Sequence, residues 1–404
     1  MQNIETYDVV VVGGGPAGAT AADHLARQGR SVLLLDRAGR IKPCGGAIPP
    51  RLIRDFDIPD DVLVARVTSA RMISPSAREV DMPIDGGFVG MVDRDIFDEW
   101  LRERAARHGA VRRNGTFARL ERGSDGVSLI HYRREGPKES TSIVRALSIV
   151  GADGAVSAVA RAAMPDMKRP PYVFAYHEII RSPRGDKSVF DGTRADVIYR
   201  GELSPDFYSW IFPHGDTASV GTGSAHKGFS LRDAVGSLRK SAGLGEVETV
   251  RREGAPIPLY PLSRWDNGID LVLAGDAAGV VAPASGEGIY YAMAGGQLAA
   301  EAVDRFLATG QVKALRLARK NFMKTHGTVF RVLRMMQWFW YANDKRRERF
   351  VSICRDKDVQ QLTWDSYMNK RLVMARPLAH IRIFFKDLAH LMGLVSATGG
   401  SRAL

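Results

Sequence analysis

Cysteine is almost missing from this chain of 404 residues. Cys44 and Cys354 cannot build a disulfide framework, so a reducing cytoplasm is the expected setting. Missing too is any run approaching the roughly 18 apolar residues that a membrane-spanning helix needs. The opening residues Met1 to Glu5 carry neither a basic stretch nor an apolar one, and no secretory leader is expected. Repeats and low-complexity tracts are lacking, which argues against a solenoid. Acid is outnumbered by base: 45 Asp and Glu stand against 57 Lys and Arg, a formal net charge of +12. Such an excess suits an anionic partner (nucleic acid, acidic membrane or phosphorylated substrate) or simply a soluble basic surface. With 45% hydrophobic residues the chain can bury a large core in one or two domains.

What is present begins with YDVVVVGGGPAGATAADHLARQGRSVLLLD, residues 7–36. Tyr7 to Val12 are apolar and β-branched, the pattern of a buried parallel strand. Gly13, Gly15 and Gly18 follow in G-x-G-x-x-G spacing. The first serves a tight turn, the second backbone approach to a pyrophosphate, the third close helix–strand packing. Ala17 to Arg27 have a helical pattern, so the amides of the helix start point at phosphate. A second strand, Ser31 to Leu35, delivers Asp36, whose carboxylate can accept from ribose hydroxyls and disfavours a 2′-phosphate. Glycine clusters alone are weak, but strand, turn, helix, strand and acid in this order specify an adenine dinucleotide, NAD or FAD.

Three further segments narrow the choice. In VDRDIFDEWL, Arg94 precedes a helix with Ile96, Phe97, Trp100 and Leu101 on its apolar side. In SIVGADGAVSAVARAA, a strand ends at Asp153 and Gly154, and a helix with Ser157 and Arg161 follows; here Asp153 and Arg161 could also be a cap and a surface residue. In IDLVLAGDAAGVVAPASGEGIYYAMAGGQLAA, a strand delivers Asp276, where an acid can bond a ribityl hydroxyl, and Gly286 and Gly288 open a helix at Ile289. A ligand contacted by segments so far apart in the chain must be long and extended.

These segments resemble the three fingerprints of FAD-dependent oxidoreductases of the hydroxylase–reductase type. The resemblance covers residues 7 to about 305 and implies FAD bound through Gly13, Gly15, Pro16, Ala17, Gly18, Asp36, Arg37, Lys42, Cys44, Arg94, Asp153, Gly154, Asp276, Gly286, Gly288 and Ile289. The fold class expected is α/β: a Rossmann-like FAD-binding domain of the hydroxylase and glutathione-reductase-2 type, an antiparallel-sheet substrate domain and a helical C-terminal region. The FAD domain is expected to be discontinuous, over 1–70, 90–168 and 258–305. Strands near 116–121 and 127–133, with a charged turn at 134–139, predict a β-meander within it. Residues 169–257 alternate like an antiparallel substrate-recognising sheet, and 306–404 read as helical and basic. No second nucleotide-binding unit occurs, so a nicotinamide donor would visit the flavin and leave.

Two short segments point to the chemistry. RIKPCGGAIPP sets Cys44 after Lys42 and Pro43, with Gly45 and Gly46 letting the backbone pass close to a ring. DFYSWIFPHGD places Tyr208, Trp210 and Phe212 at alternate strand positions, hence on one face, ended by Pro213. Such aromatics could equally fill a core, and a cysteine before two glycines could be a small packing residue. KPCGG and YSWIFP resemble the active-site segments of geranylgeranyl reductases, and the similarity to the branch serving chlorophyll and bacteriochlorophyll synthesis runs on through FRVLRMMQWFWYANDKRRERFV. The resemblance implies an NADPH-dependent reduction of isolated C=C bonds, three times over, turning geranylgeranyl into phytyl on a tetrapyrrole or on geranylgeranyl diphosphate. It implies Cys44, with Tyr208 as second choice, for the proton, and Gly45, Gly46, Trp210, Phe212 and Pro213 for the substrate. No metal site is expected, and ferredoxin as donor stays open.

From Arg316 to Lys386 the charge is strongly positive. Trp338, Phe339, Trp340 and Tyr341 stand beside Lys345, Arg346, Arg347 and Arg349. Leu378, Ile381, Phe384, Phe385, Leu388, Leu391 and Met392 recur at helical spacing. This fits an interfacial helix on an acidic membrane surface, or else a helical cap on the core or on a partner. Peripheral attachment to the photosynthetic cytoplasmic membrane, beside chlorophyll synthase or another pigment enzyme, is what the resemblance implies; nucleic acid is not expected, as no motif for it occurs. The rival readings are an FAD-dependent aromatic hydroxylase and a non-catalytic prenyl-binding protein.

Overall fold

The computed structural model describes residues 4–370 apart from 38, 40, 135–139, 184 and 186–188. The chain opens with β1 (Thr6–Val12), α1 (Pro16–Arg27) and β2 (Val32–Asp36), the expected strand–helix–strand unit. Short elements follow: β3 (Ala47–Ile48), α2 (Pro50–Asp55), β4 (Ala65–Val67), β5 (Ser69–Ile73), β6 (Glu79–Pro83) and β7 (Val89–Met91). Next come α3 (Arg94–Arg107), the strands β8 (Val111–Arg122), β9 (Ser128–Arg134) and β10 (Ser140–Gly151), and α4 (Ala158–Ala163). Then β11 (Tyr172–Arg181), β12 (Arg194–Ile198), β13 (Ser209–His214), β14 (Thr217–Ser224), α5 (Leu231–Ser241) and β15 (Thr249–Pro258). The last elements are β16 (Leu271–Leu273), α6 (Ile289–Thr309), α7 (Leu317–Trp340), α8 (Asp344–Ile353) and α9 (Lys357–Asn369).

Two compact units result. The first holds the described residues up to Cys44, then Asp93–Val173 and Pro256–Phe330. Its heart is β1, paired in parallel with β2 on one side and β10 on the other; β8 joins β2 and β16 joins β10, again in parallel. Val9, Val10 and Val11 have no exposed surface, because helices cover both faces of a parallel sheet. β8 and β10 run on past this sheet, and β9 pairs antiparallel with both, which is the expected meander; its charged turn at 135–139 lies outside the described residues. On α3, Phe97 and Leu101 are fully buried, but Ile96 is exposed, so the apolar side is narrower than its sequence implies.

The second unit takes Gly45–Val92, Phe174–Ala255 and the described residues from Arg331 onward. A seven-stranded sheet in the order β15-β11-β14-β13-β12-β5-β6 carries it, beside a small sheet β3-β7-β4. The boundaries differ from those expected. Residues 45–70 leave the FAD domain because β3 and β4 pair with β7, and β5 pairs with β12. That β5–β12 pairing is parallel, so the sheet is mixed rather than wholly antiparallel; the strands are joined through a long excursion of chain, as parallel neighbours must be. Residues 306–330 stay with the first unit because Phe322, His326 and Phe330 on α7 interlock with Tyr291 of α6, at ring separations of 4.9–6.1 Å. One face of the large sheet, with Ile180, Ile198, Ile211 and Val220, is sealed by Val235 and Leu238 of α5.

Candidate active site

At the end of β1, Gly13 turns with φ +105°, and a Cβ there would sit 2.3 Å from the Ala152 carbonyl oxygen. Only glycine allows this turn. A Cβ at Gly18 would lie 1.8 Å from the Gly13 oxygen, so α1 can pack this close only without one. Gly15 differs: a Cβ there would find nothing nearer than Arg94 Nη2 at 4.0 Å. The open side of Gly15 is therefore room, not packing. Gly15 is also the N-cap of α1 and supplies no side-chain hydrogen bond, which leaves the helix's first amides for an anion. Pro16 starts that helix without an amide of its own, and Ala17 seats it on α6, where a Cβ at Gly296 would come within 2.2 Å of the Ala17 oxygen.

Charged groups border this cradle. Burial pushes the Asp36 carboxyl above the usual carboxylate range, opposed by the Gly14 amide, Arg102 and the Arg37 amide. Arg102 Nη1 donates to Asp36 at 3.2 Å and to the Gly14 oxygen at 3.3 Å. Arg94 is buried and grips Asp98 through two bonds of 2.7 and 2.6 Å. Burial would lower the Arg94 pKa, but Asp98 and a hydrogen bond to Cys44 raise it instead, so the guanidinium stays charged. Lys42, two residues before Cys44, pairs with Asp276. A cavity of about 300 Å³ adjoins Asp276 and Ala277 and is walled by Ser157, Arg161, Lys168 and Arg169. Asp153 is engaged elsewhere: it accepts from Ser157 Oγ at 2.5 Å and from the Ala158 and Val159 amides at 2.6 and 3.0 Å, capping α4. Both its oxygens serve the helix start, the capping role that the sequence also allowed for it, while Gly154 turns beside it with φ +88°. Beyond Asp276 the chain passes Ala284, strained at φ +62°, and Gly286, then enters α6 at Gly288 and Ile289. Glu287 accepts from the Tyr290 amide at 2.8 Å there.

In the second unit Tyr208, Trp210 and Phe212 do share a face, with ring centroids 6.0 and 6.2 Å apart. Tyr208 and Trp210 are buried, and Phe212 is half-buried against Val67, Val89 and Met91, a cluster that Trp364 and Tyr367 of α9 also pack against. Pro213 does not end the strand, which runs to His214. It lies beyond the last β12 partner, Asp196 opposite Ile211, and is paired on one side only, with Ala218 of β14 opposite. Gly45 and Gly46 pass close to rings of the chain itself. A Cβ at Gly45 would lie 3.2 Å from Phe212, and one at Gly46 2.5 Å from His214, whose Nε2 donates to the Gly45 oxygen at 3.1 Å.

Comparison with known proteins agrees with this geometry. Residues 8–55 match a model of the FAD dependent oxidoreductase family, and residues 64–300, more than half of the chain, match the FAD binding domain family. A geranylgeranyl diphosphate reductase of Rhodobacter capsulatus is 60% identical over 389 residues, covering 96% of this chain and 98% of that protein. The chain belongs to the geranylgeranyl diphosphate reductase family. The chloroplastic member from Arabidopsis thaliana is 37% identical over 403 residues, covering 95% of this chain and 85% of that one. A solved structure of a geranylgeranyl bacteriochlorophyll reductase-like protein from Thermoplasma acidophilum shares the fold, with a TM-score of 0.80 at 22% identity over 93% of this chain and all of that one. The chain is thus an FAD-dependent oxidoreductase of this reductase family.

Within the reductase, Gly13, Gly15, Pro16, Ala17, Gly18, Asp36, Lys42, Cys44, Arg94 and Asp276 lie in one unit. Asp98 and Arg102 went unread, although Arg94 and Asp98 stand four apart on a helix, a spacing that pairs side chains. Arg37 is exposed, and its backbone amide donates to Asp36. In the aromatic and basic stretch, Tyr341 and Arg347 are buried: Arg347 binds Asp344 at 2.6 Å and the backbone oxygens of Pro205 and Tyr341. These two hold the fold together and cannot face a membrane. The apolar pattern from Leu378 to Met392 lies outside the described residues. Among the described residues no helix is long and apolar enough to cross a membrane.

Proposed function

We propose that this chain reduces the isolated double bonds of a geranylgeranyl group to phytyl in three rounds, on a (bacterio)chlorophyll ester or on geranylgeranyl diphosphate, with NADPH as donor. The observation that carries the reading is the face of Tyr208, Trp210 and Phe212, an apolar wall for an isoprenoid, in a chain 60% identical to a geranylgeranyl diphosphate reductase. FAD, when bound, supplies the hydride. An isolated alkene has no carbonyl to absorb charge, so the protein must hold it in place, exclude water and bring a proton to the second carbon. Cys44 is the proposed proton carrier, and Tyr208 the second choice. Arg94, bonded to the Cys44 side chain, holds that side chain in place. Gly15, the amides of α1, Asp36 and Asp276 are proposed to hold the dinucleotide. Each round adds one hydride and one proton and consumes one NADPH.

Attachment at a membrane surface belongs to the same proposal. On α7, Arg331, Arg334, Met335 and Trp338 recur at spacings of three and four, and Met335 and Trp338 are largely exposed. The deciding experiment is anaerobic incubation with FAD, NADPH and each candidate substrate, followed by mass spectrometry. Gains of two, four and six hydrogens on one substrate are expected. NADPH oxidised only in air, with peroxide or a hydroxylated product, would overturn the reading in favour of a monooxygenase.

A further inference from the structure

One set of buried polar side chains in the second unit is bonded in a row across the large sheet. Trp210 lies on β13, Ser219 on β14, His177 on β11 and Glu253 on β15, four strands that are neighbours in this sheet. Trp210 Nε1 donates to Ser219 Oγ at 3.0 Å. Ser219 Oγ stands 2.8 Å from His177 Nδ1, and His177 Nε2 stands 3.0 Å from Glu253 Oε2. Arg251 Nε closes the row on Glu253 Oε1 at 2.7 Å.

The proton positions follow from chemistry. An indole N–H can only donate, so the serine oxygen accepts from Trp210, and it shares its next hydrogen bond with His177 Nδ1. A carboxylate only accepts, so His177 Nε2 donates to Glu253. Glu253 would be raised by burial, but His177 and Arg251 outweigh that and hold it below the usual carboxylate range, so it accepts as a carboxylate. Ser219 has no exposed surface, which rules out a role as a nucleophile despite the serine–histidine–acid order. Sterics complete the arrangement. Gly221 is the cross-strand partner of both Trp210 and His177, and a Cβ on it would lie 2.3 Å from the indole Cζ2 and 2.6 Å from the His177 Cβ. The indole therefore lies flat on the backbone of β14, with its nitrogen tied at one edge.

We infer that Ser219, His177 and Glu253 are positioning residues that hold the plane of Trp210, and through it decide which double bond of the isoprenoid is presented and how far successive reduction runs. This rests on the reading of Trp210 as substrate wall. A long apolar chain offers few polar handles, so the register of its double bonds must come from the shape of the wall. A wall residue free to change rotamer would blur that register; one hydrogen-bonded at the indole nitrogen and laid on a glycine cannot.

The test uses the full chain with 5-fluorotryptophan in place of tryptophan, observed by fluorine NMR; the Trp210 signal is the one lost in Trp210→Phe. Ser219→Ala and His177→Ala are expected to shift or broaden that signal, and His177→Asn, whose amide oxygen can accept from Ser219, to return it toward the native position. Gly221→Ala should displace it as well, by crowding the indole and His177 from the backbone side. With the isoprenoid substrate, Ser219→Ala should raise the share of partly reduced product by roughly two- to tenfold, the effect of losing about one hydrogen bond. An unmoved Trp210 signal in Ser219→Ala and Gly221→Ala would overturn the inference. A displaced signal with an unchanged product pattern, and an unchanged KM in Trp210→Phe, would instead overturn the wall reading beneath it.

Discussion

Two cysteines of one chain have opposite surroundings. Cys354 is buried, and burial alone pushes its thiol up to about 12, so it is inert packing at neutral pH. Cys44 is only partly buried and shares a hydrogen bond with the charged Arg94. Cys44→Ala should leave the protein yellow and lower alkene reduction about 100-fold or more, the scale of a lost general acid. Flavin absorbance with single-turnover kinetics checks this; turnover within a few-fold of the native rate would return Cys44 to packing. Residue positions were legible where a motif names the residue and its neighbours agree: Gly13 makes the turn and Asp36 ends β2. Roles stayed open where several fit one motif. Asp153 is a helix cap because the amides of Ala158 and Val159 fold back within its reach, a local closure that the strand–turn–helix reading left open.

Elements carry the cofactor site. The turn between β1 and α1 works because Gly13 passes under Ala152 and Gly18 lies against Gly13, leaving the Gly15 side clear. Gly13→Ala forces a Cβ to within 2.3 Å of a backbone oxygen at a positive φ. The element must shift, and the purified variant should be colourless, with a lowered melting temperature, even in excess FAD. Retention of flavin at native affinity would sink the assigned role of this turn. The strand–turn–helix–strand unit was readable because each step is short-range: apolar run, glycine spacing, amphipathic helix, terminal acid. The domain boundaries were not. Pairing of β5 with β12 joins residues more than a hundred positions apart, and nothing in either strand's pattern names its partner.

For the molecule as a whole, the excess of 12 positive charges sets what it approaches. With basic residues beside exposed Trp338 and Met335, the chain should float with vesicles containing anionic lipid and be released as salt rises, since surface charges are screened beyond about 10 Å at 0.1 M salt. Trp338→Ala should weaken flotation without altering flavin content. Binding to neutral vesicles alone, or none to acidic ones, would remove the membrane from the account. By itself the sequence determined the dinucleotide fold and the one-faced row of aromatics, because those rest on periodicities of two and 3.6 residues and on glycines at fixed spacing; the FAD family was legible only through the resemblance of three segments to known fingerprints. Only the tertiary structure decided that Asp153 is a cap, that Arg347 is buried, and that Trp210 is tied through Ser219 and His177 to Glu253. The physical reason is register: a hydrogen bond across four strands depends on which residues face each other, and a chain records that only after it has folded.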